Sequence, residues 1–128
     1  MVLFILYVDD QKKSAEFYSQ LLQLTPILDV PGMTEFLLQE NCKLGLMPNS
    51  GISKIICPYM PEPQLGKGIP RCEVYIYVEE LELVFCRAVE AGAKLISPIE
   101  IRNWGDKVCY FADPDGHIIA FAEKFQLS

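Results

Sequence analysis

The sequence predicts an α+β domain of two β-α-β-β-β modules, a cupped mixed sheet with its helices on the outside. Three observations predict it. The segment "FILYVDDQKKSAEFYSQLL" at Phe4 to Leu22 is echoed by "VYIYVEELELVFCRAVEAG" at Val74 to Gly92, with Val8-Asp9-Asp10 superposing on Val78-Glu79-Glu80. After each copy the pattern changes to short strands, "TEFLLQENCKLGLM" and then "DKVCYFADPDGHIIAFAE", each a candidate hairpin. Between the copies lies "CPYMPEPQLGKGIP", whose four prolines and two glycines do not suit a regular element and read as a linker. The expectation is one domain over residues 1–128, with modules 1–56 and 71–125 joined by linker 57–70. A sheet covered on one face by one helix cannot bury itself alone, so the modules share a domain and leave one face for a partner or a ligand.

Each module opens on a strand of β-branched and aromatic residues, passes an acidic helix entry, and continues as a helix. Apolar residues return at three-to-four spacing, Ala15, Tyr18 and Leu22 in the first helix and Leu81, Val84 and Ala88 in the second. Gly92 is placed to end the second helix. Along the strand after the linker, side chains alternate: Val74, Ile76 and Val78 form an aliphatic set suited to the helix. Glu73, Tyr75 and Tyr77 then share the open face, as do Leu3, Ile5 and Tyr7 in the first module.

The last hairpin turns through Asp113-Pro114-Asp115-Gly116, where proline fixes φ, Asp113 can bond back to the backbone and Gly116 can adopt positive φ. A three-residue loop with a glycine bulge pairs Asp113 with His117, and then Ala112 with Ile118, Phe111 with Ile119, Tyr110 with Ala120 and Cys109 with Phe121. Phe111, Ile119, Phe121 and Cys109 face the helix in that register; Tyr110 and Ala120 face the open side. His117, the single histidine, sits at the turn end and projects away from the face that carries Ala120, so it reads as a turn residue and not as a ligand or base.

The chain has 128 residues, of which 51% are hydrophobic, enough to build a real core. Its net charge of −6, from 11 basic and 17 acidic residues, argues against nucleic acid and permits a cationic small molecule. The run Val2 to Val8 is far too short for a bilayer span and has no basic flank or cleavage signal, so no membrane partner is expected and a cytoplasmic location is. Five cysteines without a CxxC pair read as reduced thiols.

The segments "YVDDQKKSAEFYSQLL", "YVEELELVFCRAVEAGAKLISP" and above all "WGDKVCYFADPDGHIIAFAE" resemble the vicinal oxygen chelate superfamily, from about Leu3 to Glu123. That superfamily includes glyoxalase I, bleomycin-resistance proteins, extradiol dioxygenases and fosfomycin-resistance enzymes. The resemblance implies a divalent-metal position built from four residues on the open face, which fall here on Leu3, Leu46 (or its neighbour Gly45), Glu73 and Ala120. Only Glu73 is a donor, and one carboxylate cannot replace a hard cation's hydration shell. No metal site, no cofactor and no catalytic residue are therefore expected. The resemblance implies a metal-independent, homodimeric binder of a planar or cationic small molecule, of the antibiotic-sequestering, bleomycin-resistance type.

Glu73, Tyr75, Tyr77, Trp104 and Tyr110 are the expected ligand-binding residues. Glu73 would pair with a cationic group, the tyrosines would line the cleft, and Trp104 in "RNWGD" would stack on a heteroaromatic ring. The alternative is a metal-dependent glyoxalase-like lyase or isomerase, or a ring-cleaving dioxygenase, recruiting Glu35, Glu40 or Glu123. A third possibility is an interaction module whose tyrosines close on one another and leave no cleft. Cys109 faces the helix with nothing nearby in sequence to activate it, and is not a candidate nucleophile.

Overall fold

The apolar run at the N-terminus forms strand β1 (Val2–Val8), and Asp10 stops it by capping helix α1 (Gln11–Leu22), its carboxylate accepting the Lys13 N–H at 3.0 Å. Three strands follow, β2 (Leu28–Val30), β3 (Met33–Gln39) and β4 (Cys42–Pro48). The second copy gives β5 (Glu73–Tyr77), α3 (Leu81–Glu90), β6 (Lys94–Ile101), β7 (Asp106–Ala112) and β8 (Ile118–Lys124), with α2 (Asn49–Ile56) between the copies. The computed structural model describes residues 1–125. The chain divides into two compact units, Met1–Lys67 and Gly68–Ser128.

Both units have the same wiring. The sheet orders are β1-β4-β3-β2 and β5-β8-β7-β6, with the opening strand parallel to the closing one and the remaining pairs antiparallel. The two β-α-β-β-β modules foreseen from the repeat are thus present as two four-stranded mixed sheets. At the end of the expected first module Ile52 is buried and helix α2 packs on β1 and β4; within the expected linker, 57–70, a 3-10 turn at Pro63–Gly66 packs on α2. Proline at the start of that turn has no N–H to leave unsatisfied, which is why a proline-rich stretch accommodates it.

In the first unit α1 covers β3 and β4, burying Ala15, Phe17, Tyr18 and Leu21 over Phe36, Leu44 and Leu46. The buried seam runs to Leu21 instead of the expected Leu22, which is only partly covered. In the second unit α3 buries the expected Leu81, Val84 and Ala88. Its Phe85 ring meets Phe111 at 5.3 Å, and Cys109, Ile119 and Phe121 complete that core. Each fully buried Leu, Ile or Phe among them contributes roughly 1.5–3 kcal/mol. Gly92, at φ +86°, ends α3: its N–H bonds to Val89 O and the next N–H, of Ala93, bonds to Ala88 O.

The last hairpin follows the register read from the turn, Ala112 to Ile118, Phe111 to Ile119, Tyr110 to Ala120 and Cys109 to Phe121. Asp113 N–H donates to His117 O at 2.9 Å, and the Asp113 carboxylate accepts the N–H groups of Asp115 and His117. Gly116 is at φ +88°, and a Cβ there would stand 2.9 Å from Gly68 Cα, so no other residue fits. His117 closes this turn with its main chain.

Candidate functional site in the second unit

Alternation along β5 and β8 builds the open face of the second sheet. Tyr75 pairs with Ala120 and Tyr77 with Ala122, while Tyr110 on β7 flanks Ala120 from the other side. The central strand offers only methyl groups here, so Tyr75 and Tyr110 lie down on a buried floor of Val108, Ala120 and Ala122. Four of the five residues expected to bind a ligand, Tyr75, Tyr77, Tyr110 and Trp104, are joined in this neighbourhood. Trp104, 56% exposed, donates its indole N–H to Tyr75 Oη at 2.9 Å. The fifth, Glu73, opens β5 two residues before Tyr75 and is exposed.

What holds this wall together is Asp106, a residue the sequence reading passed over. Its side chain is 1% exposed, and Oδ2 accepts both the Tyr75 hydroxyl at 2.6 Å and the Tyr77 hydroxyl at 2.8 Å. Lys124, exposed, donates to Tyr77 Oη at 3.2 Å, lies 4.5 Å from that ring centroid and stands 3.8 Å from Asp106 Oδ1. Tyr75 and Tyr77 meet edge to face at 5.4 Å. Two of the three tyrosines therefore close on each other, where the ligand-free alternative calls for all three. Tyr110 turns elsewhere: the Arg102 guanidinium lies 5.5 Å from its ring centroid.

The electrostatics follow from these contacts. Burial and then the hydrogen bond to Asp106 push the Tyr75 hydroxyl up to about 12, against a smaller lowering by Trp104. The Tyr75 hydrogen bond, followed by that of Tyr77, holds Asp106 below the usual carboxylate range despite its desolvation. Burial raises Tyr110, with Glu73 adding and Arg102 opposing. Lys124 is raised by Tyr77 and Asp106. Burial pushes the Cys109 thiol up to about 11, and its sulfur faces Phe121 O at 3.8 Å, so it is not an activated nucleophile. Counting by twos back from Tyr110 reaches Val108 and Asp106, and counting forward from Ala120 reaches Lys124. The same period that found the tyrosines would have found both charges.

The four positions that the resemblance assigns to a metal do not fit one. In the first unit Leu46 is fully buried opposite Leu6 and Thr34, so the register selects its neighbour Gly45, beside Leu3 and Ile5. That correction supplies no donor. Ala120 lies beneath Tyr75 and Tyr110, so the place of the last carboxylate is taken by aromatic packing. Among the described residues no three His, Cys, Asp or Glu side chains are grouped to hold a metal ion. Glu35 is engaged by Lys43 at 3.0 Å.

A wide depression of about 850 Å³ lies in the first unit, lined by Gln11, Ala15, Ser19, Asp29 and Val30 among others. Its chemistry is structural. The Gln11 amide donates to Val30 O and Thr34 Oγ1 and accepts from Gly32 N–H, stapling α1 to the β2–β3 turn. The second unit's aromatic face has the more distinctive chemistry.

No described helix is long and apolar enough to cross a membrane. Three likenesses to known proteins bear on the fold. An uncharacterized protein of Mycobacterium bovis is 27% identical over 115 residues, covering 88% of this chain and 75% of its own. A glyoxalase-related enzyme from Fulvimarina pelagi superposes with a TM-score of 0.81 at 21% identity, covering 97% of this chain and 87% of its own. An antibiotic binding protein from Streptomyces sp. CB03234 superposes with a TM-score of 0.70 at 21% identity, covering 95% and 93%. Residues 1–126 match the Glyoxalase-like domain, and the chain belongs to that family, within the vicinal oxygen chelate superfamily.

Proposed function

We propose that this chain is a metal-independent small-molecule-binding protein whose ligand, planar or cationic, rests on the aromatic face of the second unit. The observation that carries the reading is the wall of Tyr75, Tyr77 and Trp104 held by one buried carboxylate, with Tyr110 alongside. Aromatic groups fixed before binding lose little entropy when a ring stacks on them. Glu73 has no ion pair or hydrogen bond among the described residues, and would supply the charge for a cationic substituent. The antibiotic-binding Streptomyces protein of the same fold supports sequestration of a drug-like or metabolic compound.

The donor set argues against glyoxalase or dioxygenase chemistry through a divalent metal, because Leu3, Gly45 and Ala120 give Glu73 no company. The same reading has the protein act as a homodimer in the cytoplasm. Exposed apolar side chains on β1, Val2, Phe4, Ile5 and Tyr7, support a dimer contact. The Tyr75–Tyr77 packing favours a second reading, a module that takes no ligand.

Metal stoichiometry tests the proposal. Tag-free protein is incubated separately with nickel, zinc, manganese and iron(II), desalted, and weighed by native mass spectrometry. The expected result is substoichiometric metal in the wild type and in Glu73→Gln alike. One bound ion per chain that disappears in Glu73→Gln would overturn the metal-independent reading.

A further inference from the structure

The register that builds the aromatic wall also assembles a cation site at its edge. Asp106 opens β7 directly opposite Lys124, the last residue of β8, and Tyr77, the last residue of β5, pairs with Ala122, two residues before Lys124. A period of two keeps all three side chains on one face. The Lys124 ammonium accordingly stands 3.2 Å from Tyr77 Oη, 4.5 Å from the Tyr77 ring centroid and 3.8 Å from Asp106 Oδ1. A hydroxyl acceptor, an aromatic ring and a carboxylate are the set that recognises a protonated amine.

The parts of this site are unequally secured. Asp106 is 1% exposed, and both tyrosine bonds go to Oδ2, so Oδ1 keeps no hydrogen-bond partner among the described residues. Tyr77 is fixed by Asp106 and by its edge-to-face contact with Tyr75. Lys124, by contrast, has a side chain 71% exposed, and at 3.8 Å its ammonium is beyond hydrogen-bond reach of Oδ1. An exposed ion pair of this length contributes little, and holding a long lysine in one rotamer costs entropy. The receptor is held firmly and the group that fills it is loose. Because that group comes in from solvent, the place of its nitrogen is open to another amine once the side chain swings out.

We infer that Lys124 is an internal stand-in for the ligand's own cationic group, an alkylammonium whose N–H groups take the place of the Lys124 ammonium on Tyr77 and Asp106. The inference rests on the small-molecule reading above and deepens it. It names the charge as a protonated amine and moves its seat from Glu73, which pairs with no cation among the described residues, to Asp106, which already faces one. A quaternary ammonium meets the ring as well but offers no N–H to Tyr77 Oη or Asp106 Oδ1, and an alcohol brings no charge. Lys124 competes with the ligand, so the apparent affinity is lowered by the share of time that Lys124 is in place.

The probes are benzylammonium, benzyltrimethylammonium and benzyl alcohol, titrated at about 0.15 M salt to screen long-range charge. Binding is followed by the backbone amide shifts of Tyr77 and Ala122 and by the indole N–H of Trp104, the single tryptophan. Lys124→Met, which keeps an apolar stem and removes the competitor, is expected to tighten benzylammonium at least about fivefold and to move the other two probes about twofold or less. In that background Asp106→Asn is expected to weaken benzylammonium at least about tenfold. If Asp106→Asn does not fold, Tyr77→Phe, which keeps the ring and loses Oη, is expected to weaken it about threefold or more. Benzylammonium affinity that is unchanged or lower in Lys124→Met, or an equal gain by both cations or by all three probes, would overturn the inference. Loss of benzylammonium binding in Glu73→Gln without a gain in Lys124→Met would overturn it and leave the small-molecule reading standing with Glu73 as the seat of the charge. No shift by any probe in wild type or Lys124→Met would overturn both.

Discussion

At Asp106 a carboxylate with almost no solvent contact accepts two phenol hydroxyls through one oxygen. Replacing it by asparagine removes the charge that helps keep Tyr75 protonated but leaves the larger cause, burial, in place. Ultraviolet titration of Asp106→Asn is therefore expected to move Tyr75 from about 12 toward its ordinary 10.0 without reaching it. The folded-state value of Tyr75 is raised, so the stability linked to its proton is complete below pH 10.0 and is lost as pH rises toward about 12. The folded value of Asp106 is lowered, so its share is present above pH 3.8 and is lost as pH falls through the lowered value. Denaturant midpoints measured across both windows check the two signs. Ala120 gives the complementary test. Ala120→Glu would restore the family's carboxylate at a position wholly buried under tyrosine rings, and is expected to cost on the order of 3 kcal/mol or more in urea unfolding.

The two copies of the repeat differ at their helix entries. Asp10 caps α1 through its side chain, whereas Glu80, in the equivalent place, makes no side-chain cap bond to α3. Asp10→Ala is accordingly expected to cost about 1 kcal/mol of stability and Glu80→Ala only about a few tenths, measured side by side in urea. Strand alternation, the acidic helix entries and the Asp-Pro-Asp-Gly turn are local signals, which is why the modules, the faces of β5 and the full register of the β7–β8 hairpin were legible in the sequence. Helix α2 was not. It has eight residues and one buried side chain, Ile52, and it begins after Pro48 without a side-chain cap, so neither periodicity nor capping marked it. The one-residue slip between Leu46 and Gly45 has a similar origin. It depends on the pairing of β1 with β4, which brings Ile5 opposite Gly45 across a long stretch of sequence.

At the scale of the whole molecule, the wiring occurs twice but the chemistry does not. The first sheet's face carries Leu3, Ile5, Gly45 and the Glu35–Lys43 pair, while the second carries the tyrosine wall, Asp106 and Arg102. Sequence reading reached Tyr75, Tyr77, Tyr110 and Trp104 because aromatic residues announce themselves, and missed Asp106, Arg102 and Lys124 because charged residues near strand ends ordinarily face solvent. Homodimerisation belongs to this scale: light scattering of the purified protein is expected to give twice the chain mass of 14.5 kDa, and a monomer at all concentrations would remove that part of the proposal. The most direct test is a map of backbone amide shifts on saturation with a planar cationic compound in the presence of a metal chelator. The binding proposal predicts shifts confined to β5, β7 and the turn that carries Trp104. Shifts centred on Gln11, Ser19 and Asp29, or shifts that require added metal, would contradict it.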